Sequence, residues 1–250
     1  MARKERADQL LLEKNFAESR ESAKRLVMAG LVFFELPSGA LQRVEKPGTK
    51  YPVDTVFSVH GKEKFVSRGA YKLLTVLEAF PIPVEGAVAL DGGASTGGFT
   101  DCLLQHGAAK VYAVDVGYNQ LHEKLRNDPR VVCMEKTNLR NAPPDLIPEQ
   151  VDIVVSDVSF ISLTLVLPGC VQFLKRGGHV AALIKPQFEL GPEAAPKGVV
   201  RDDALRQQAV DKVTTFAAGT LRLTLKGVLP AAVKGPKGNQ EYMAVWQKLE

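Results

Sequence analysis

The stretch Ala87-Val88-Ala89-Leu90-Asp91-Gly92-Gly93-Ala94-Ser95-Thr96-Gly97-Gly98-Phe99-Thr100-Asp101 constrains the fold more than any other part of the chain. Four apolar residues in a row predict a strand buried on both faces, and the glycine-rich turn behind them opens a helix through Cys102-Leu103-Leu104-Gln105. Strand, bare-backbone turn and helix N-terminus in that order make a nucleotide site. A dinucleotide loop carries Gly-x-Gly-x-x-Gly where pyrophosphate meets the backbone, but this loop reads Asp91-x-Gly93-x-x-x-Gly97. A carboxylate at the strand end repels pyrophosphate and suits a cationic ligand, such as the amino and sulfonium groups of S-adenosylmethionine. The Lys-Ser/Thr pair of a phosphate-gripping loop is absent. Farther on, Val111-Tyr112-Ala113-Val114 ends in Asp115, where a second parallel strand would offer a carboxylate to ribose hydroxyls. The candidate cofactor residues are therefore Asp91, Gly93, Gly97, Gly98 and Asp115, with Ser95, Thr96 and Asn138 as weaker candidates.

Strand and helix patterns alternate after this loop. Strands are expected at 87–90, 111–115, Val131–Met134, Val151–Ser156 and His179–Ile184, with helices near 119–126 and 161–175 and a turn at Lys175-Arg176-Gly177-Gly178. Repeated units of this spacing predict a doubly wound parallel sheet covered by helices on both faces. The segment Leu190–Val200, rich in proline and glycine, reads as a mobile flap before a helix opened by Asp202-Asp203. Two last strands, Leu221–Leu229 and Glu241–Trp246, would form an antiparallel hairpin, as in the methyltransferase version of the Rossmann-like fold.

The N-terminal part differs in composition. Residues 1–72 hold 14 Lys/Arg against 9 Asp/Glu, whereas residues 73–250 hold 18 against 19, so the whole basic excess of the +4 chain lies at one end, where a polyanion would be drawn. Two short helices are expected between Arg6 and Ala29, broken near Asn15-Phe16-Ala17, with Ser19 opening the second and Gly30 stopping it. Short strands are expected near Leu31–Phe34, Leu41–Val44 and Thr55–Val59, then a polar connection over 45–67. Ser67 is placed to cap the next helix, one turn into which sits Lys72. Arg6, Ser19-Arg20, Ala23 and Gly30 followed by Val32 resemble the RNA-binding domain named after ribosomal protein S-four, which presents basic side chains to an RNA backbone. That resemblance implies RNA contacts from Arg6, Arg20 and Lys24, with Arg68 beyond the module as a further candidate. We place the domain boundary near residue 60, giving domains 1–60 and 61–250.

No stretch approaches the roughly 18 apolar residues of a membrane span, and the charged N-terminus lacks a signal-peptide core, so a cytoplasmic location is expected. Cys102, Cys133 and Cys170 are widely spaced in apolar contexts that read as core, and neither they nor the four histidines show metal-ligand spacing; no metal is expected.

In a doubly wound sheet the ligand sits beyond the carboxyl ends of the strands, which here carry Asp91, Asp115, Asp157 and Lys185, with Lys72 and Glu241 nearby in the pattern. A lysine at a buried strand end needs carboxylates around it, and Asp157 and Glu241 are available. Amino-group methylation of a base uses a Pro-Pro-aromatic loop, which Asp157-Val158-Ser159-Phe160 lacks, and pyrimidine-carbon methylation needs a loop thiol, which is also missing. A ribose hydroxyl remains the best acceptor.

The chain as a whole resembles the TlyA family, the haemolysin-named group of FtsJ-like ribosomal RNA methyltransferases. The match is carried by Ser67-Arg68-Gly69-Ala70-Tyr71-Lys72-Leu73, Asp91–Asp101, Ser156-Asp157-Val158-Ser159-Phe160-Ile161-Ser162, Ile184-Lys185-Pro186-Gln187-Phe188-Glu189 and Asn239-Gln240-Glu241-Tyr242. The resemblance implies a Lys-Asp-Lys-Glu tetrad at Lys72, Asp157, Lys185 and Glu241, and transfer from S-adenosylmethionine to the 2′-hydroxyl of cytidines in ribosomal RNA or ribosomal subunits. Lys185 would orient and deprotonate the hydroxyl, and Asp157 would hold the ammonium. Lys72 would hold a phosphate or act on Lys185 by like-charge proximity, and Glu241 would bridge to Lys72 or to the ribose. Three other readings stay open: a membrane-active haemolysin, a non-catalytic ribosome-assembly factor, and an enzyme acting on a small molecule or protein. Oligomeric state is open as well.

Overall fold

The computed structural model describes residues 3–17, 19–61 and 64–249. It divides into two compact units, Met1–Lys64 and Phe65–Glu250.

The first unit contains β1 (Lys4–Arg6), α1 (Ala7–Glu13), α2 (Arg20–Met28), β2 (Val32–Glu35), β3 (Leu41–Arg43), β4 (Lys50–Pro52) and β5 (Phe57–Val59). The break between the helices falls where expected, with Asn15 at φ 59°, and Ser19 caps α2 by accepting the Ser22 N–H at 3.1 Å. Gly30 follows α2 at φ 74°, the left-handed region that ends helices cheaply only at glycine. Leu10, Leu11, Ala23 and Val27 pack with Val32, Val44 and Phe57 into a small core. Strands β3–β2–β5 form one antiparallel sheet, while β1 and β4 pair separately, Glu5 opposite Tyr51. The polar connection expected over 45–67 therefore contains a strand. A three-residue edge strand with no apolar alternation carries no sequence signal of its own.

The second unit is built from α3 (Ala70–Ala79), β6 (Val88–Gly92), α4 (Gly98–Gln105), β7 (Lys110–Val114), α5 (Glu123–Arg126), β8 (Val131–Met134), β9 (Val151–Ser156), α6 (Leu163–Val171), β10 (Leu174–Ile184), α7 (Pro186–Glu189), α8 (Asp203–Leu221), β11 (Leu223–Pro230) and β12 (Tyr242–Lys248). Seven strands lie in the order β11-β12-β10-β9-β6-β7-β8, parallel except for the antiparallel pairings of β12. Period-2 alternation sends successive residues to opposite faces. Ala89, Val111, Ile153, Ala181 and Val245 pack against α3 and α4, while Leu90, Tyr112, Val154, Val180 and Trp246 pack against α6 and α8. Both faces are covered, which is why the central strands lack polar residues until their ends.

Strand order reverses between β6 and β9, so the crevice at their carboxyl ends is the ligand position of this architecture. The antiparallel β12 adds a second device. Its first residue lies where the parallel strands end, and the pairing of Ile184 with Tyr242 sets the ends of the neighbouring chains, Lys185 and Glu241, side by side.

Several local expectations need correction. Ser67 does not cap α3; the helix starts at Ala70 behind Gly69 with no side-chain cap, and Ser67 Oγ instead faces Gly98, where a Cβ would lie 2.3 Å from it. The helix expected near 119–126 is only α5, because Asn119 at φ 54° breaks the pattern. The predicted turn at 175–178 is an irregularity inside β10, between the paired residues Leu174 and His179. The 190–200 segment forms two short 3-10 turns tied down by buried Asn239, which accepts the Val200 N–H and donates to the Gly198 carbonyl. Cys102 and Cys170 are buried, but Cys133 is only half-buried. No helix among the described residues is long and apolar enough to cross a membrane.

Gly97 tests the loop that anchors this unit. It sits at φ 94° before α4, and a Cβ there would lie 2.2 Å from Leu125 Cδ1. Gly97→Ala should cost more than about 1 kcal/mol, lowering the melting temperature by at least about 2–4 °C. An unchanged melting curve would contradict this account of the loop.

Candidate active site

Asp91, the penultimate residue of β6, is only 1% exposed. Its Oδ2 accepts the Thr100 N–H at 3.0 Å and the Thr100 hydroxyl at 2.7 Å, which fixes the carboxylate against the first turn of α4. Its Oδ1 is buried with no hydrogen-bond partner among the described residues. Burial pushes this carboxyl up to about 7, against the opposing pull of Thr100, with the charges of Asp157 and Asp115 adding to the rise. A buried acceptor without a donor is costly, and a cationic ligand in the adjoining cleft would relieve it.

That cleft has a volume of about 170 Å³ and is bounded by Ser67, Gly69, Gly98 and Phe99 as well as Asp91 and Lys185. A second cavity of about 370 Å³ shares Gly93, Ser95, Asp157 and Ser159 with it and extends past Asp115, Gln120 and Asn138. Together they make a polar compartment at Asp91 continuous with a more apolar one at Asp115. The acceptor chemistry at Asp91 and the adjoining, more apolar cavity suit a cationic amino acid joined to a nucleoside.

Of the expected cofactor residues, Asp91, Gly93, Ser95, Thr96, Gly98, Asp115 and Asn138 line these cavities. Gly97 does not; it shapes the turn from behind, under Leu125. Asp115 accepts the Ser95 N–H at 2.8 Å on Oδ2 and the Gly117 N–H at 2.7 Å on Oδ1, so it ties the β6 and β7 loops together. Asn138 caps the short turn Leu139–Asn141 through the Arg140 N–H.

Lys72, Asp157, Lys185 and Glu241, spread over 170 residues of sequence, converge into one chain of charges. Lys185 Nζ lies 2.6 Å from Asp157 Oδ1 and Lys72 Nζ 3.5 Å from Asp157 Oδ2, while Lys72 donates to Glu241 Oε2 at 2.8 Å. Glu241 is fully buried, and the two lysines are 7% and 6% exposed. Charges alternate along the chain, so no cation is buried without a carboxylate. A glycine makes room for it: a Cβ on Gly235 would fall 2.1 Å from Glu241 Oε1.

Sequence reasoning missed three contributors. Ser159 Oγ accepts from Lys185 Nζ at 2.7 Å, Gln187 Nε2 donates to Glu241 Oε1 at 3.1 Å, and Ser67 lines the cleft. The first two lie two residues beyond Asp157 and Lys185, and that spacing was their signal. Of the expected RNA-contacting residues, three lie in the first unit and Arg68 in the second. In the first unit, Arg6 grips buried Asp8 with a two-pronged hydrogen bond at 2.9 and 2.8 Å, and Arg20 reaches the same carboxylate at 3.4 Å. Those bonds from Arg6 hold the Asp8 carboxyl below the usual range. Lys24 pairs with Glu21 at 3.4 Å, and Arg68, in the second unit, is exposed.

The chain matches the family of FtsJ-like methyltransferases over residues 65–248. It is 45% identical to the "16S/23S rRNA (cytidine-2'-O)-methyltransferase TlyA" of Mycobacterium tuberculosis, covering 100% of this chain and 92% of that protein. It is 40% identical to "Hemolysin A" of Brachyspira hyodysenteriae, covering 96% and 98%. A solved structure, "Putative hemolysin from Streptococcus thermophilus", superposes with a TM-score of 0.75 at 44% identity over 100% of this chain and 90% of that one. The sheet order, the loop at Asp91 and these likenesses together show that the chain belongs to the FtsJ-like methyltransferases, among the relatives named TlyA and hemolysin A.

Proposed function

We propose that this enzyme transfers a methyl group from S-adenosylmethionine to the 2′-hydroxyl of cytidine in ribosomal RNA, a reaction that belongs in the cytoplasm. The observation that carries the proposal is the buried Lys185–Asp157–Lys72–Glu241 chain opening onto the cleft beside Asp91. Asp91, Ser95 and Thr96 would hold the amino-acid end of the cofactor, and Asp115 and Asn138 the nucleoside end. The cofactor supplies an electrophilic methyl on a positively charged sulfur.

A ribose hydroxyl is a poor nucleophile at neutral pH, so the chain's own groups must orient it and take its proton. Lys185 lines the cleft, held between Asp157 and Ser159. As the free amine, formed when one proton passes to solvent before transfer, it directs the hydroxyl toward the methyl and receives the hydroxyl proton as the new bond forms, and Asp157 stabilises the ammonium that results. Lys72, shared between Asp157 and Glu241, keeps Asp157 from swinging toward solvent and leaves a positive potential for the neighbouring phosphate.

Lys185→Ala should reduce methyl transfer to ribosomal subunits lacking the modification by at least about 100-fold with cofactor binding intact, a loss within the range of general acid–base catalysis. Transfer at the wild-type rate would overturn the assignment. Asp91 sets a pH dependence with a definite sign. Its carboxyl is raised to about 7, so it is neutral below that pH and charged above it, and a cationic ligand prefers the charged form. Binding of S-adenosylmethionine, followed by calorimetry, should be about tenfold weaker at pH 6 than at pH 8. Asp91→Asn should flatten that dependence, and a flat wild-type profile would contradict the role. On the RNA side, Arg68→Ala should weaken binding across RNA sequences and lower the slope of log affinity against log salt by about one. An unchanged slope would remove Arg68 from the RNA surface.

A further inference from the structure

Gln187 sits in α7, the four-residue turn that follows Lys185. That turn is anchored at its far end: Glu189, buried, accepts the Leu163 N–H at 2.7 Å and the Ser162 hydroxyl, and its carbonyl accepts from Lys212. Lys185 and Gln187 therefore project from one short segment fastened to both α6 and α8. One reaches Asp157 and the other Glu241, the two carboxylates of the charge chain.

The orientation of the Gln187 amide is dictated by its neighbour. Nε2 donates to Glu241 Oε1, and the reverse assignment would press a carbonyl oxygen against a buried carboxylate. The consequence is a carbonyl oxygen, Gln187 Oε1, buried with no hydrogen-bond partner among the described residues. An amide side chain that leaves one buried atom unsatisfied in order to serve another is poorly explained as packing, since an apolar residue of equal size would carry no such penalty.

Glu241 is fully buried and needs donors on both oxygens. Lys72 satisfies Oε2 and Gln187 satisfies Oε1. Without Gln187, the unsatisfied oxygen would compete for the Lys72 ammonium, which already lies nearer Glu241 at 2.8 Å than Asp157 at 3.5 Å. Lys72 would leave Asp157, and Asp157 would lose one of the two cations that set its orientation toward Lys185. We propose that Gln187 is a positioning residue for methyl transfer: by holding Glu241 it fixes how Lys72 is divided between the two carboxylates, and so holds Asp157 and Lys185 in register.

This proposal rests on the reaction proposed above, and the test separates the two. Wild-type, Gln187→Met and Gln187→Glu proteins are compared for methyl transfer to unmodified ribosomal subunits, for binding of S-adenosylmethionine and for thermal unfolding. Both variants keep the length of the side chain, but neither offers an N–H to Glu241, and the glutamate adds a second acceptor. Gln187→Met should lower kcat by about 10- to 100-fold, the value of a hydrogen bond to a charged group, with KM for S-adenosylmethionine and melting temperature close to wild type. Gln187→Glu should lose more. Wild-type kcat in either variant would overturn the proposal, as would a loss of kcat that follows a matching loss of cofactor binding or of folding. Failure of the wild-type protein to methylate ribose would instead contradict the reaction itself.

Discussion

The alternating chain of Lys185, Asp157, Lys72 and Glu241 depends on every other part of the catalytic unit being in place. An isolated buried charge costs several kcal/mol, so each member is tolerable only when its neighbours arrive from elsewhere in the fold. They arrive from the end of β9, the end of β10, the first turn of α3 and the start of β12. The antiparallel direction of β12 is what makes the last contribution possible, because a parallel strand there would begin at the opposite edge of the sheet.

Asp91 illustrates the same logic with the opposite outcome. Here the fold buries a carboxylate and, among the described residues, leaves one oxygen without a donor, and burial raises the group to about 7. A fully satisfied acid would gain little from a cationic ligand; an unsatisfied one gains both a hydrogen bond and a charge partner. Under the proposed function, the cleft would select a positively charged ligand by the interaction it lacks, and the charge chain would supply the groups that act on an acceptor.

Much of this was legible in the residues. Apolar runs ending in a single charged residue mark buried parallel strands whose carboxyl ends face a site, and Asp91, Asp115, Asp157 and Lys185 all sit at or just past such ends. What failed to show depends on tertiary contact. The β1–β4 pair is made of short charged segments with no periodicity, and Ser67 satisfies every local rule for a cap yet faces Gly98 instead. Nothing in the sequence singles out Asp8, yet it is buried and draws in Arg6 and Arg20, the arginines that the sequence suggested for RNA. Gln187 lies within the Ile184–Glu189 motif, but nothing in one dimension shows that its amide meets Glu241.

The central claim is that the acceptor is a ribose oxygen, and the product tests it most directly. Ribosomal RNA lacking the modification would be methylated by the enzyme with labelled S-adenosylmethionine, hydrolysed with alkali and separated. A 2′-O-methyl group blocks cleavage at its own linkage, so the expected result is label in an alkali-resistant dinucleotide that begins with 2′-O-methylcytidine. Label on a base, released as a mononucleotide, would contradict the account.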